Sequence, residues 1–499
     1  MGESALSRVM NGVAVTLMTI ALVVALMVMP VPAQASTEGA VSPTVSTDVT
    51  DTSAADTTIA VRRDIPYMAP WSTEQTQKLD LYGLSGSQNS ASSVARPLVV
   101  FIHGGAWING DKSFMIERMP LVNTLLARGY LVASIDYRLA TESPWPAQIN
   151  DCKSAVRFLR ANATKYGINP NRIAVFGESS GAHLAMMMGV TNGNQQFVDS
   201  QDGNGASVSS DVQAVISDFG IADVDAWGNL SGDNAALATN AKNLLFGVQE
   251  GAEYTAEQAE KASPINYVSA SAAPMLLAHG QNDTMVSYHQ TVMMQTALER
   301  VGATVDTWYP KNGPHASAEV FCTNIVAQRR YLDFLSTVFP ARQASGSGQR
   351  MILVHRFYQP SDQVHMFSAD ANESVILDQD WTGWRSEGVA FQVISGSGDS
   401  ETKRSASTQI IIGMRNTTTG DYVYTGNTEE RESLVRAGWT EEASFRVPVT
   451  EGIPVYRFYN ARNNRHTLVT SESEMTALLA QGWRNEGVAF CAYAASSEQ

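Results

Sequence analysis

The chain has 499 residues, of which 44% are hydrophobic and 17% are charged, and its formal net charge at pH 7 is −15. This length exceeds what one compact core supports, so we expect two or more domains. The acidic balance, without any block of lysines or arginines, argues against nucleic acid and anionic membrane surfaces as partners.

The N-terminus has the features of an export signal. Residues 13–31 are almost wholly apolar, and Ala33-Gln34-Ala35 follows as a small-residue cleavage site. We predict that residues 1–35 are a signal peptide, so that the protein is secreted or held at the cell surface. The apolar run is also long enough to span a bilayer, and a retained N-terminal membrane anchor is the alternative. Residues 36–60 are rich in Ser, Thr, Ala and Asp, which predicts a disordered spacer.

Residues 61–340 alternate between strand-like and helical patterns. Apolar runs predict buried strands at 98–102, 131–135, 173–176, 212–216, 275–278 and 304–309. Residues at helical spacing predict helices at 115–128, 148–166 and 287–301. Strands that alternate with helices indicate an α/β fold, with a mostly parallel central sheet covered on both faces.

A small polar segment at 341–350 predicts a linker, and residues 351–499 then repeat a pattern. HRFY at 355–358 returns as YRFY at 456–459, and WRSEGVAF at 384–391 returns as WRNEGVAF at 483–490. A weaker middle copy is centred on Trp439. We predict three α+β copies, each with two short strands, a helix and a closing strand. A capping box is predicted from Ser471 to Glu474.

Two features of composition leave alternatives open. Trp384, Trp439 and Trp483 could stack on sugar rings, although we favour a role in the core of the repeats. The three cysteines, at 152, 322 and 491, allow one disulfide at most, with Cys152 and Cys322 as one possible pair, and leave one free thiol.

The stretch FGESSGAHLA places Ser179 between Gly177 and Gly181, after a predicted strand and before a predicted helix. Strand, sharp turn and helix are the context of a nucleophile elbow, which lifts a serine hydroxyl above the sheet. The two glycines are expected where the strand and the helix nearly touch. We therefore interpret Ser179 as a nucleophile.

A serine nucleophile needs a base, and the base needs a carboxylate. His315 lies in a loop directly after the last predicted strand, whereas His289 lies on a helix face. We assign His315 as the base. Asp283 follows the strand at 275–278 and is favoured over Asp218, which also follows a strand. The histidines at 103, 183 and 279 are interpreted as structural.

The turn HGGAW follows the strand at 98–102, and its Gly104 and Gly105 allow backbone N–H groups to approach a substrate oxygen. The segments VVFIHGGAWINGDKS, SIDYRLA, RIAVFGESSGAHLA and PMLLAHGQNDTMV resemble α/β-hydrolase serine esterases with an HGGxW oxyanion motif. This group is similar to hormone-sensitive-lipase-like esterases, to bifunctional feruloyl and acetyl-xylan esterases, and to kynurenine-formamidase-type enzymes.

The resemblance implies roles for six residues. The implied catalytic triad consists of Ser179, Asp283 and His315, and the implied oxyanion donors are Gly104, Gly105 and Ser180. The repeats at 351–499 resemble a module of unsettled function that is appended to secreted bacterial hydrolases and surface proteins.

These observations favour an exported serine carboxylic-ester hydrolase that acts on carbohydrate or small esters through an acyl-enzyme. Such chemistry requires no metal or cofactor. An amidase, a peptidase or an arylformamidase of the same fold remains an alternative, as does a surface adhesin in which the hydrolase domain is a scaffold. We expect residues 351–499 to contact a glycan or a cell surface.

Overall fold

The computed structural model describes residues 59–68, 76–84, 95–194, 196–198, 202, 207–249, 252–340, 351–394, 408–449 and 452–495. The predicted signal peptide, the linker at 341–350 and nearly all of the predicted spacer lie outside the described residues. Within the described part of the chain, no helix combines the length and the apolar character needed to cross a membrane.

The first domain has eight strands and nine α-helices among the described residues. The strands are β1 (Ile59–Pro66), β2 (Lys78–Leu84), β3 (Arg96–Ile102), β4 (Leu131–Ile135), β5 (Ile168–Glu178), β6 (Ala214–Asp218), β7 (Met275–Ala278) and β8 (Val305–Trp308). The helices are α1 (Met119–Ala127), α2 (Ala147–Ala161), α3 (Ala163–Tyr166), α4 (Ser180–Val190), α5 (Ala235–Leu245), α6 (Ala256–Ala262), α7 (His289–Arg300), α8 (Ala318–Phe321) and α9 (Ile325–Val338).

The strands form one sheet in the order β1-β2-β4-β3-β5-β6-β7-β8. From β4 to β8 all neighbours are parallel, whereas β1 and β2 are antiparallel additions at one edge. The predicted α/β class with a mostly parallel sheet is confirmed. The β1–β2 hairpin was not predicted, and β1 begins at Ile59, inside the region predicted as a spacer.

The sheet separates two apolar cores, because successive side chains along each strand point to opposite faces of the sheet. Along β3, Leu98, Val100 and Ile102 face the core that is covered by α2, α4 and α7. Val99 and Phe101 face the opposite core, which is covered by α1 and α9. Because both faces of the sheet are buried, the sequence of β3 is a continuous run of apolar residues. This run allowed the strand to be predicted from the sequence.

Two predicted helices are interrupted in the structure. The helix predicted at 115–128 consists of a 3₁₀ turn at Lys112–Ile116 followed by α1, which has Pro120 in its first turn. Proline lacks the N–H that a continuous helix would need there. The helix predicted at 148–166 is divided at Asn162, whose side-chain amide donates to the carbonyl oxygen of Phe158 at 2.9 Å.

The second domain, here called the module, contains three units with the same order of elements. Unit one has β9 (Met351–Gln359), β10 (Val364–Ser368), α10 (Ala371–Leu377) and β11 (Arg385–Ile394). Unit two has β12 (Thr408–Asn416), β13 (Tyr422–Thr425), α11 (Thr428–Arg436) and β14 (Trp439–Pro448). Unit three has β15 (Ile453–Asn460), β16 (Arg465–Val469), α12 (Glu472–Ala480) and β17 (Arg484–Ala492).

Some details of the module differ from expectation. The predicted capping box at Ser471 is wrong: the residue is the N-cap of α12, but its side chain makes no capping bond. Its hydroxyl instead pairs with the hydroxyl of Ser473 at 2.7 Å. Trp384, Trp439 and Trp483 are all half-buried, and Trp384 packs against the apolar core of the module.

The two domains touch through α9 of the first and α10 of the module. Ile376 on α10 is fully buried in the core of the first domain. The amide of Asn372 donates to the carboxylate of Asp333 at 2.7 Å. Side chains outside the predicted linker therefore join the domains.

All three cysteines are free thiols. Cys152 and Cys322 belong to the two cores on opposite faces of the central sheet, so that the sheet separates them.

Candidate active site

Ser179 lies between the end of β5 and the start of α4. Its backbone has φ of 54° and ψ of −118°, a conformation that L residues rarely adopt and that is typical of strained functional turns. Its own N–H donates to the carbonyl oxygen of Asp218 at 2.9 Å, so that the neighbouring strand β6 fixes the turn.

The glycines on each side permit this turn. A β-carbon on Gly177 would lie 2.1 Å from the carbonyl oxygen of Gly181, and one on Gly181 would lie 2.1 Å from the carbonyl oxygen of Ile102. Neither position can hold a side chain without backbone displacement. The predicted close approach of strand and helix at these glycines is confirmed.

Three of the predicted site residues lie in one chain of hydrogen bonds. His315 Nε2 is 3.0 Å from Ser179 Oγ, and His315 Nδ1 is 2.6 Å from Asp283 Oδ2. The carboxylate can only accept, so Nδ1 carries the proton and donates to it. Nε2 is then the acceptor for the serine hydroxyl. The ring of Phe219 packs against the imidazole, with centroids 4.7 Å apart.

The rival carboxylate, Asp218, has different partners. Its Oδ2 accepts from the hydroxyl of Tyr331 at 2.7 Å. Burial, followed by the nearby charge of Glu178, raises the pKa of Asp218 well above its usual range. A carboxyl group that is held neutral cannot stabilise an imidazolium by charge.

The other candidate histidines also have separate partners. His289 lies at the start of α7, where its Nδ1 is 2.9 Å from Ser287 Oγ. His183 is fully buried in α4; its Nδ1 accepts from the indole N–H of Trp107 at 3.2 Å, and its Nε2–H donates to Ala262. Burial lowers the pKa of His183 to about 4, so that it remains neutral.

Asp283 is almost completely buried and accepts hydrogen bonds from two sides. Its Oδ1 accepts from the backbone N–H groups of Met285 at 2.8 Å and Val286 at 3.0 Å. Burial by itself raises its pKa, but the positive charge that His315 carries when it is protonated, and hydrogen bonds from His279 and His315, outweigh burial and hold the pKa below its usual range. The carboxylate is therefore ionised at neutral pH.

The HGGAW turn lies against the nucleophile. A β-carbon on Gly104 would lie 3.3 Å from the β-carbon of Ser179. Gly105 has φ of 112°, a left-handed conformation that favours glycine. Ser180 is the first residue of α4, where the backbone N–H has no acceptor within the helix. Backbone donors at these three positions can stabilise negative charge that develops on an oxygen beside Ser179.

Two contacts near the site were not predicted from the sequence. His279, which we interpreted as structural, is fully buried, and its Nε2 lies 2.9 Å from Val286 O and 3.2 Å from Asp283 Oδ2. Its Nδ1 accepts from Thr291 Oγ1 at 2.8 Å, which leaves the proton on Nε2. Asp283 therefore receives hydrogen bonds from two imidazoles. The spacing His-x-x-x-Asp at 279–283 was the available signal.

The second contact is a buried ion pair next to the nucleophile. Arg118 donates from Nε and Nη2 to the two carboxylate oxygens of Glu178, at 2.6 and 2.8 Å. Such a bidentate pair holds the residue before Ser179 in one orientation.

With this geometry established, residues 79–298 match the BD-FAE family model. The first domain has the α/β-hydrolase fold, and the proteins that it resembles are named esterases. This match confirms the resemblance inferred from the HGGAW and GESSG segments. Residues 338–409 and 410–499 each match a domain of unknown function, DUF5648.

The hydrolase domain is similar to named esterases. It is 33% identical over 208 residues to esterase LipC of Mycobacterium tuberculosis, covering 42% of this chain and 48% of that protein. It is 27% identical over 265 residues to esterase LipQ of the same organism, covering 50% and 58%. The chain thus spans about half the length of these curated relatives.

A solved structure described as a truncated form of carbohydrate esterase from gut microbiota is 28% identical. The match covers 57% of this chain and 98% of that chain, with a TM-score of 0.48.

The contact between His279 and Asp283 generates a prediction. Replacing His279 by Leu removes a hydrogen bond to a buried charge, which is worth roughly 1.5–3 kcal/mol, so we expect kcat to fall roughly 10- to 100-fold with little change in KM. His279→Gln retains an amide donor and should recover part of the loss. Steady-state kinetics on a soluble ester measures both values. Equal kcat for His279→Leu and the unchanged protein would contradict the positioning role.

Proposed function

We propose that this protein is a serine carboxylic-ester hydrolase with Ser179 as nucleophile, His315 as base and Asp283 as the carboxylate that orients the base. The observation that carries the proposal is the continuous chain of hydrogen bonds from Ser179 Oγ through the imidazole to Asp283. The contacts of Asp218 and His289 with other groups support this choice of partners.

The proposed reaction has two acyl transfers. Ser179 Oγ attacks the ester carbonyl while its proton passes to His315 Nε2, and the new oxyanion accepts hydrogen bonds from the N–H groups of Gly104, Gly105 and Ser180. The C–O bond to the alcohol then breaks, and Nε2–H protonates the departing alcohol. Water, deprotonated by the same nitrogen, then attacks the acyl-enzyme. The bond between the acyl carbon and Ser179 Oγ breaks, Nε2–H returns its proton to Oγ, and the acid leaves.

Esters are preferred over amides as the proposed substrate class. The matched relatives carry esterase names, including methylesterases from Arabidopsis thaliana that are 27–28% identical to this chain.

Substitutions at the triad test this assignment. We expect Ser179→Ala and His315→Ala to lower kcat on a soluble acetyl ester by a factor on the order of 10⁴ or more, and Asp283→Asn to be similarly impaired because it leaves the imidazole in the wrong tautomer. His289→Ala and Asp218→Asn are the matched controls and should stay active. Asparagine closely resembles the neutral carboxyl group that burial favours at position 218. An inactive Asp218→Asn with an active Asp283→Asn would require reassignment of the acid.

We further propose that the module contacts carbohydrate. A groove of about 1280 Å³ lies between the domains, and the residues that line it include Trp384, Tyr422, Arg330, Arg415 and Asp362. Aromatic faces beside hydrogen-bonding charges suit sugar rings, which have apolar faces and hydroxyl edges.

Retention on insoluble polysaccharides tests this contact in the full-length protein. Trp384→Ala should reduce the retained fraction at least several-fold, whereas Trp384→Phe, which keeps an aromatic face, should retain most of it. Trp439→Ala is the control, because Trp439 is the equivalent residue of unit two and does not line the groove. Turnover of a small soluble ester should be unchanged in all three. Equal retention of the Trp384→Ala and Trp439→Ala proteins would contradict the proposal.

We also propose that the protein is exported, because residues 9–37 carry no charge and end in Ala33-Gln34-Ala35. Cleavage after Ala35 predicts Ser36 as the first residue of the extracytoplasmic protein. N-terminal sequencing measures this directly, and an intact N-terminus in the membrane fraction would favour the alternative of an anchor.

A further inference from the structure

Three equivalent aromatic rings meet in the core of the module. Phe391, Phe445 and Phe490 are equivalent residues on the closing strands of the three units. Their ring centroids are 6.0, 5.6 and 5.7 Å apart in the three pairs. Three equivalent rings in mutual contact require that unit three is followed in space by unit one, so that the units form a closed ring.

Ion pairs connect two of the three pairs of neighbouring units in this ring. The third residue of each helix is a glutamate, at positions 373, 430 and 474. Glu430 of unit two accepts from Arg457 of unit three at 2.8 Å. Glu474 of unit three accepts from Arg356 of unit one at 2.7 Å. Both arginines stand three residues before the end of the first strand in their unit.

Unit two lacks this arginine. Its first strand, β12, ends at Asn416, and the position three residues earlier is Gly413. The position in unit two that is equivalent to Arg356 and Arg457 therefore cannot supply a guanidinium to Glu373 of unit one. A cavity of about 460 Å³ at this junction is lined by residues that include Glu373, Glu442 and Arg329.

The hydrolase domain supplies the guanidinium instead. Arg329 on α9 donates from Nη1 to Glu373 at 3.1 Å and from Nη2 to Asp370 at 3.3 Å. Beside this polar contact, Ile376 inserts into the core that contains Tyr331 and Leu335 of α9. Helices α9 and α10 are thus joined both by ion pairs and by buried apolar contacts.

We propose that the junction between units one and two is a docking site for helix α9 of the hydrolase domain, in which Arg329 takes the place of the arginine that Gly413 lacks. The other two junctions are closed by arginines of the module itself. One junction of a nearly symmetric ring is thereby reserved for the hydrolase domain, and the module holds that domain in one orientation.

Hydrogen exchange in the full-length protein tests the role of Arg329. Arg329→Ala should speed exchange of the backbone amides of α10 several-fold, whereas Arg330→Ala, which removes the same charge one residue away on α9, should leave them unchanged. Turnover of a small ester shows whether the hydrolase domain stays intact. Ser179 follows the carboxyl end of β5, whereas the groove beside the domain contact lies at the amino ends of β7 and β8. Equal protection of α10 in both variants would overturn the proposal.

A second substitution tests the equivalence with Gly413. Gly413→Arg places a competing guanidinium near Glu373 and should speed exchange in α10 as Arg329→Ala does. Gly413→Ala is the matched control, because either variant places a β-carbon 3.0 Å from the ring of Tyr424. If the arginine and alanine variants show the same exchange in α10, Gly413 is not the position that Arg329 replaces, and the proposal fails.

Discussion

The backbone contact between the start of α4 and the end of β3 is the constraint on which the site depends. At Gly181 the two elements approach so closely that a β-carbon would lie 2.1 Å from the carbonyl oxygen of Ile102. This approach turns the chain sharply enough to give Ser179 a positive φ. It also brings the HGGAW turn, which follows β3, next to the nucleophile. The same close approach at Gly181 thus positions both the nucleophile and its proposed oxyanion donors.

The electrostatics of the site depend on one buried carboxylate, that of Asp283. An ionised group in a dry interior is costly unless several donors surround it. Asp283 receives two backbone N–H groups and two imidazoles, so that its charge is retained beside His315. Asp218, with a hydroxyl donor and a nearby glutamate, favours the neutral form. Two aspartates at the ends of neighbouring strands therefore have opposite ionisation, and this difference follows from their partners.

In the module, too, carboxylates are paired with specific donors. At two junctions the glutamate of one helix meets an arginine of the next unit, and the junction without this arginine meets the hydrolase domain through Arg329. The groove beside this contact is lined by Pro274 and Thr304, at the beginnings of β7 and β8. These four-residue strands are about 13 Å long, and Asp283 and His315 lie in the loops that follow their opposite ends. The domain contact and the active site are therefore on opposite edges of one sheet.

The sequence by itself was sufficient to locate the buried strands, the α/β class and the turn at Ser179, because strand periodicity and elbow glycines are local patterns. Local patterns also placed His315 and Asp283 after successive strands, whose carboxyl ends meet at one edge of a parallel sheet. Only the tertiary structure decided which groups lie beside these residues. The contacts of Arg118 with Glu178 and of Arg329 with Glu373 join residues 60 and 44 positions apart, and no local pattern encodes such distances. Partner choice, and hence the charge state of each buried group, is set where distant segments pack together.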